Sequence, residues 1–362
     1  MKVTQPFRIV GSLVVTAVLL GACASAPKKE ESAATSKNAD FLACQVTDTG
    51  GIDDKSFNQT AYKGLTDAED QLGVTSKFLE STSPNDFQTN IKEFMDQDCD
   101  LIVTVGFLLA DATAAATKAN PDQDFAIVDY AYYSDSGKKI TYKNIKELTF
   151  QTDEAAFQAG YLAAGMTKSG KVGTFGGINI PTVTIFMNGF AGGVNYYNQQ
   201  NDDNVQVLGW DVEKQDGLFT GDFENQDKGR QVTQTLLNQG ADIILPVAGP
   251  VGLGAGASVQ DAGGAYMVWV DTDGCISAAE FCDLFLTSIE KHMDVAVSDT
   301  IKAAVDGSFK GGLYTGTLAN EGVGIAPYHE LESKVPASLD KDVQTIEQDI
   351  ISGKLDITKY MK

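Results

Sequence analysis

The sequence predicts an α/β fold made of two lobes, each built around a doubly wound parallel sheet. Short apolar runs alternate along the chain with runs of helical period, which is typical of parallel strands joined by helices. The alternation restarts near residue 150, and the 362 residues are enough for two such units. At 43% apolar residues, the chain can bury a large core.

The first unit opens with a strand, followed by a helix from about Ser56 to Leu72 that stops at Gly73. Ser56 and Gln59 have the spacing of a capping box at the start of this helix. Two of the later strands are almost continuously apolar, as expected where helices cover both faces of a sheet. The strands of this unit are predicted at 41–47, 100–106 and 124–129, with a further short strand near residue 78.

The second unit repeats the pattern, and the chain then returns to the first. The stretch 282–291 reads as helix-like and leads to Lys291. Strands are predicted at 171–177, 241–249 and 265–271, with a long helix around 183–199. Lobe 1 is predicted to comprise 40–149 and about 274–315, and lobe 2 to comprise 150–273 and about 316–362.

The N-terminus has the features of an export signal. Lys2 and Arg8 precede the apolar segment 9–22, which is too short to span a bilayer comfortably. Small residues come just before Cys23, which resembles the lipobox of bacterial lipoproteins. This resemblance implies that residues 1–22 are removed and that Cys23 is lipidated, with palmitate among its acyl chains, and tethered through residues 24–39. The alternative is an ordinary secretory signal with a chance cysteine.

The other four cysteines are Cys44, Cys99, Cys275 and Cys282. An even number of cysteines outside the cytoplasm predicts two disulfides. Cys275 and Cys282 are close enough to close a small loop, and the strands near Cys44 and Cys99 can be neighbours. The alternative is free buried thiols, and no pair has the spacing of a zinc site.

The composition argues against several classes of function. The chain has 27 Lys and Arg against 49 Asp and Glu, which disfavours binding to nucleic acid or to anionic lipid through surface charge. With two histidines and no nucleophile, phosphate-binding or zinc-hydrolase motif, we expect no enzyme activity, no cofactor and no metal. A hydrolase that uses clustered carboxylates is the minor alternative.

Ligands of doubly wound sheets bind beyond the carboxyl ends of the strands, so the residues that follow each strand are the candidates for a site. After the first strand, the run VTDTGGIDDKSFNQTAYKGL (46–65) carries Asp48, Phe57 and Asn58. Phe57 is either a core residue or an apolar face in a cleft. Asp48 and Asn58 can supply hydrogen bonds.

Later strand ends offer matching residues. Phe223 precedes a second helix, which Asn225 can cap, so the two phenylalanines either clamp a planar ligand or serve as unrelated apolar contacts. Asp129 and Asp271 end strands, where a carboxylate either caps a helix or accepts hydrogen bonds from vicinal hydroxyls.

Several of these segments together resemble the basic-membrane-protein family. Its members are lipoprotein substrate-binding proteins of ABC transporters, and the best known bind purine nucleosides. The resemblance covers about residues 40–330 and implies the type I periplasmic-binding-protein fold. It rests on 46–65, with support from 105–107, 175–178, 188–194, 221–229, 240–249 and 268–273.

The resemblance also implies a role for each candidate residue in binding guanosine, inosine or adenosine. The partner would be an ABC permease, and the protein would be a monomer anchored on the extracytoplasmic face of the cell membrane. It implies that Phe57 and Phe223 stack on the base. Asp48, Asn58 and Asp129 would form hydrogen bonds to the base or the nearby sugar, and Asp271 and Lys291 would bind the ribose hydroxyls. Gly249 would let the backbone pass close to the ligand.

Three segments depart from the family pattern: 178–183, 248–254 and 272–282. The last two line or flank the expected cleft. A sugar, or a signalling ligand read by a membrane sensor, therefore remains an alternative to a purine nucleoside, and a second role in adhesion also stays open.

Overall fold

Two six-stranded sheets organise residues 37–362, the part of the chain that the computed structural model describes. The predicted signal peptide, Cys23 and most of the predicted tether lie outside these residues. The strands are β1 (Leu42–Thr47), β2 (Thr75–Leu79), β3 (Leu101–Val105), β4 (Asp124–Val128), β5 (Ile145–Phe150), β6 (Lys171–Gly176), β7 (Gln206–Leu208), β8 (Trp210–Asp211), β9 (Asp216–Gly217), β10 (Ile243–Val247), β11 (Tyr266–Asp271), β12 (Phe285–Lys291), β13 (Gly312–Gly316) and β14 (Val323–Ile325).

Helices follow most strands, as the alternating pattern predicts. They are α1 (Phe57–Leu72), α2 (Phe87–Asp96), α3 (Ala110–Ala119), α4 (Thr152–Met166), α5 (Pro181–Asn201), α6 (Gln226–Asn238), α7 (Val251–Ala262), α8 (Gly274–Ser277), α9 (Met293–Val305) and α10 (Ala337–Ile351). None of the helices within 37–362 is long and apolar enough to span a bilayer.

The first sheet has the order β2-β1-β3-β4-β5-β13 and is parallel throughout. The second has the order β7-β6-β10-β11-β12-β14, in which only the edge strand β14 is antiparallel. Every residue of β3 and β10 is buried, because helices cover both faces. The predicted pair of doubly wound parallel sheets is confirmed, and lobe 1 and lobe 2 below denote these sheets with their helices.

The chain crosses between the lobes three times: after β5, after β12, and between β13 and β14. The expected return to lobe 1 at about residue 274 comes too early. Strand β12 pairs with β11 in the second sheet, and only α9, which packs on α1, brings the chain back.

The helix-like prediction for 282–291 is wrong, because most of this stretch forms strand β12. Its apolar and hydroxyl side chains are buried on both faces, as suits an inner strand.

Both expected disulfides are formed. The strand disulfide, Cys44–Cys99, joins β1 to the residues before β3, and both cysteines are buried. The loop disulfide, Cys275–Cys282, closes the short segment that follows β11. The loop disulfide therefore lies a few residues beyond the end of a strand that borders the inter-lobe cleft described next.

Candidate ligand-binding cleft

A cavity lies between the lobes at the carboxyl ends of the two sheets. The space between its walls, with the open solvent at its mouth included, is about 550 Å³. All the residues predicted for the site line it: Asp48, Phe57, Asn58, Asp129, Phe223, Gly249, Asp271 and Lys291. Their ligand roles remain predictions, but their convergence on one cavity is a structural finding.

Asp54 builds the start of α1, which sets the lobe 1 wall. Its carboxylate accepts the backbone N–H groups of Ser56, Asn58 and Gln59 at 3.0, 2.8 and 3.0 Å. The predicted capping box of Ser56 and Gln59 is therefore wrong. The Ser56 hydroxyl instead donates to Asp271 Oδ2 in lobe 2 at 2.7 Å. Burial raises the pKa of Asp54 to about 6, although the three N–H donors oppose this rise.

Asp48 and Asn58 form a buried polar pair on the same wall. Asn58 Nδ2 donates to Asp48 Oδ1 at 3.1 Å and to the carbonyl of Thr49 at 3.3 Å, whereas Asn58 Oδ1 has no hydrogen-bond partner within residues 37–362. Burial raises the pKa of Asp48 to about 8 despite the Asn58 donor, so its carboxyl is largely protonated at neutral pH. Gly106, at φ 115°, leaves space for the Asp48 carboxyl. Any other residue at this position would place its Cβ 2.1 Å from Asp48 Oδ2.

Lys291 is the central cation of the cleft, with only 2% of its surface exposed. Its ammonium lies 2.5 Å from Asp129 Oδ2 and 3.2 Å from Asp271 Oδ1, and 4.7 Å from the ring centre of Phe57. Burial alone would lower the pKa of Lys291, but the two carboxylates outweigh it and raise the pKa, so the lysine is charged. It links Asp129 of lobe 1 to Asp271 of lobe 2.

Three residues of the site hold left-handed backbone conformations just after strands. They are Asp129 at φ 63°, Asp271 at φ 71° and Gly249 at φ 53°. Glycine adopts this region freely, but each aspartate there costs on the order of 1 kcal/mol or more. The surrounding contacts hold these aspartates in place, and the turn directs both carboxylates to Lys291.

The aromatic walls come from opposite lobes. Phe57 is the first residue of α1, and Phe223 precedes α6, which Asn225 caps as predicted by accepting the Lys228 N–H at 3.1 Å. Gly177 gives Phe223 its position, because a Cβ there would lie 2.3 Å from Phe223 Cδ1. One aromatic side chain from each lobe thus lines the same space.

Sequence reasoning missed part of the lining. Phe186 of α5 is fully buried, with its ring centre 5.3 Å from Lys291 Nζ, and Phe107 follows β3. Spacing of three residues along the first turns of α5 could have indicated Val183 and Phe186. The residues not proposed for the site are Thr49, Asp54, Phe107, Ile180, Thr182, Val183, Phe186, Val247, Ala248, Pro250 and Val270.

Comparison with known proteins agrees with this architecture. Residues 41–360 match the family described as ABC transporter substrate-binding protein PnrA-like. ABC transporter nucleoside-binding protein BmpA of Lactococcus lactis is 30% identical over 336 residues, covering 88% of this chain and 89% of that protein. Basic membrane protein A of Borreliella burgdorferi is 28% identical over 313 residues, 84% of each chain. The crystal structure of an ABC transporter solute-binding protein from Aeropyrum pernix K1 superimposes with a TM-score of 0.77 at 25% identity, covering 87% of this chain and 92% of that one.

Proposed function

The chain belongs to the family of PnrA-like ABC transporter substrate-binding proteins, and from this premise we propose that its ligand is a purine nucleoside. The resemblance stated from the sequence is confirmed at the level of the family, and the fold is that of periplasmic-binding-protein type solute receptors. In this proposal the protein is a receptor that delivers its ligand to an ABC permease and performs no chemistry. It is anchored outside the cytoplasmic membrane through lipid on Cys23.

The observation that carries the proposal is the pair of aromatic side chains, Phe57 and Phe223, that face one cavity from different lobes. A planar base between two rings gains stacking contacts on both faces only when the lobes are closed. A sugar could use one such face, but two facing walls suit a flat ring system. The nucleoside-binding protein of Lactococcus lactis, which is similar over most of its length, supports the same ligand class.

The polar groups of the cavity suit the remaining parts of a nucleoside. Asn58 Oδ1 is a buried acceptor that receives no hydrogen bond from residues 37–362, and Asp271 Oδ1 has only the Lys291 ammonium, at 3.2 Å, as a partner there. Buried acceptors of this kind favour a ligand that brings its own donors. We assign the ribose hydroxyls to Asp271 and Lys291, and base N–H groups to Asn58 with Asp48. Asp129 holds Lys291 and is close to the sugar.

We assign Gly249 a role that depends on its backbone, namely close approach of the chain to the ligand. Its φ of 53° and its lack of a side chain let the turn after β10 come close to the ligand. The neighbouring Pro250 also lines the cavity and belongs to a segment that departs from the family pattern. Pro250 adds apolar surface to the cavity but has no backbone N–H to donate to a ligand.

The test is calorimetric titration of residues 24–362 with guanosine, inosine, adenosine, cytidine and ribose. We expect dissociation constants on the order of micromolar or tighter for purine nucleosides, given stacking on both faces and charge-assisted hydrogen bonds. Cytidine and ribose should bind at least tenfold more weakly. Preference for ribose or a hexose over every nucleoside would overturn the ligand assignment, and release of free base would overturn the assignment as a receptor.

A further inference from the structure

A second cavity adjoins the first, and the two share Asp129 and Thr182 as lining residues. The space between its walls, with the open solvent at its mouth included, is about 390 Å³. From lobe 1 it is lined by the end of β5, and from lobe 2 by the start of α5. Nothing in the nucleoside assignment above uses this space, so it needs its own explanation.

The second cavity lies at the sugar end of the proposed ligand. Lys291, assigned to the ribose, is bonded to Asp129, which forms the wall common to both cavities. Phe150, which lines the second cavity, has its ring centre 6.0 Å from Lys291 Nζ. A ribose held by its 2′ and 3′ hydroxyls has its 5′ carbon free to carry a substituent. The second cavity is the adjoining space, across Asp129 and Thr182, that could receive that substituent.

The lining of the second cavity is mostly apolar and carries no positive charge. Phe150, Pro181 and Ile185 supply apolar surface, and no lysine or arginine is among the residues of 37–362 that line it. Asp129 places a carboxylate at its mouth. A phosphate there would face this carboxylate with no cation of its own, because Lys291 lines only the first cavity and is already paired.

The N-terminus of α5 does not make the second cavity favourable for a phosphate. A helix N-terminus favours anions, but Pro181 at the first position has no N–H to offer. The N–H groups of Val183 and Thr184 bond to the carbonyl of Ile180, which leaves the N–H of Thr182 as the one donor of this turn without a backbone partner within residues 37–362. The helix dipole is opposed by the Asp129 carboxylate, whose counter-charge, Lys291, is shared with Asp271.

Three threonine hydroxyls belong to the lining of the second cavity, and one of them, that of Thr182, has no hydrogen-bond partner within residues 37–362. The hydroxyl of Thr149 donates to the carbonyl of Tyr314, and that of Thr152 donates to the carbonyl of Phe150. Thr182, at the junction of the two cavities, has no side-chain hydrogen bond with any residue of 37–362. It can bond a heteroatom attached to the 5′ carbon, while the space beyond it accepts apolar groups.

We propose that the second cavity is a subsite for a neutral, apolar substituent on the 5′ carbon of the nucleoside, of the alkylthio type, and that it excludes a 5′-phosphate. The inference rests on the proposed function and deepens it. It also gives a role to segment 178–183, which departs from the family pattern and supplies Pro181 and Thr182 to the lining.

The ligand series that tests this uses the full-length protein in detergent, in both the adenosine and the inosine series. Each nucleoside is compared with its 5′-deoxy, 5′-deoxy-5′-methylthio and 5′-monophosphate derivatives by calorimetry. Burial of one added methyl group corresponds to about fourfold in affinity, so the methylthio derivative should bind about four- to tenfold more tightly than the 5′-deoxy parent. The monophosphate should bind at least 100-fold more weakly than the nucleoside.

A matched pair of variants locates the effect. Ile185→Trp fills the second cavity and should abolish the gain from the methylthio group, with the parent nucleoside bound within twofold of wild type. Thr184→Trp adds the same side chain one residue earlier, outside both linings, and should retain the gain. Should Ile185→Trp fail to fold, the ligand series on the wild-type protein decides by itself.

The outcomes separate the subsite from the proposed function. Tight binding of the parent nucleosides with exclusion of the methylthio derivatives, or with equal binding of the monophosphates, would overturn the subsite and leave the receptor assignment intact. Failure of every nucleoside and derivative to bind would overturn both.

Discussion

Replacing Lys291 with methionine removes the only cation that lines the described cleft, and its consequences can be worked out from the structure. The variant leaves the carboxyl groups of Asp129 and Asp271, which Lys291 now joins at 2.5 and 3.2 Å, buried without a counter-charge. Loss of one partner from a buried ion pair costs about 3–5 kcal/mol of unfolding free energy. We expect a loss of that size at pH 8, measured by urea denaturation.

The cost of Lys291→Met should depend on pH. In the wild type, the raised pKa of Lys291 means that its contribution is fully present below its unfolded pKa of about 10.4 and is lost only at higher pH. In the variant, burial raises the pKa of Asp129 above its unfolded value, and no lysine charge opposes this rise. The folded state then holds protons that the unfolded state releases, so its stability falls as pH rises. The difference from wild type should therefore be smaller at pH 5 than at pH 8.

Lys63→Met is the matched control for this experiment. Lys63 also pairs with two aspartates, one of them Asp294 at 3.0 Å, but 57% of its side chain is exposed. Exposed pairs contribute at most about 1 kcal/mol, so the control should lose little stability. A loss below 1 kcal/mol for Lys291→Met, equal at pH 5 and pH 8, would refute the assignment of a charged lysine between two carboxylates.

Three further predictions follow from the same structure. Asp48→Asn should gain stability relative to wild type as pH rises from 5 to 8, because an acid whose folded pKa is about 8 destabilises the fold above its unfolded pKa of 3.8; a pH-independent difference would contradict the burial argument. Phe57→Ala and Phe223→Ala should each weaken nucleoside binding at least tenfold in calorimetry, while Phe78→Ala, at a side chain 39% exposed on β2, should leave affinity unchanged. Alanine in place of both cysteines should cost about 4 kcal/mol at the strand disulfide and about 2 kcal/mol at the loop disulfide, since the closed segments span 55 and 7 residues; chemical denaturation that ranks them in the opposite order would count against the loop-entropy explanation.

The sequence predicted the architecture because parallel sheets covered on both faces leave a strong local pattern. The continuous apolar runs of β3 and β10, each followed by a helix, identify inner strands without knowledge of the tertiary contacts. The same pattern became ambiguous at 282–291. A run of that length and apolar content fits a helix or an inner strand, and only the pairing of β12 with β11 resolves it.

The composition of the cleft was predictable, but its geometry was not. Strand ends identified Asp129 and Asp271 as candidates, yet their left-handed backbones are set by tertiary contacts that no local pattern encodes. The role of Ser56 was mistaken for a similar reason. Capping spacing describes what a serine can do within one helix, whereas its hydroxyl bonds to Asp271, which is 215 residues away in sequence.

We predict that this bond between Ser56 and Asp271 couples ligand binding to closure of the lobes. Asp271 Oδ2 accepts a hydrogen bond from the Ser56 hydroxyl of lobe 1, while Oδ1 is paired within the described residues only with the Lys291 ammonium at 3.2 Å. Trp269, on the same strand, donates to the Lys55 carbonyl at 3.1 Å and adds a second contact between the lobes. A ligand hydroxyl that bonds to Oδ1 would complete the hydrogen bonding of a carboxylate that the closed form has already placed. In this prediction, opening the lobes would separate Ser56 from Asp271 and leave this carboxylate less constrained. A ligand then favours closure only to the extent that it binds the closed form more tightly than the open form.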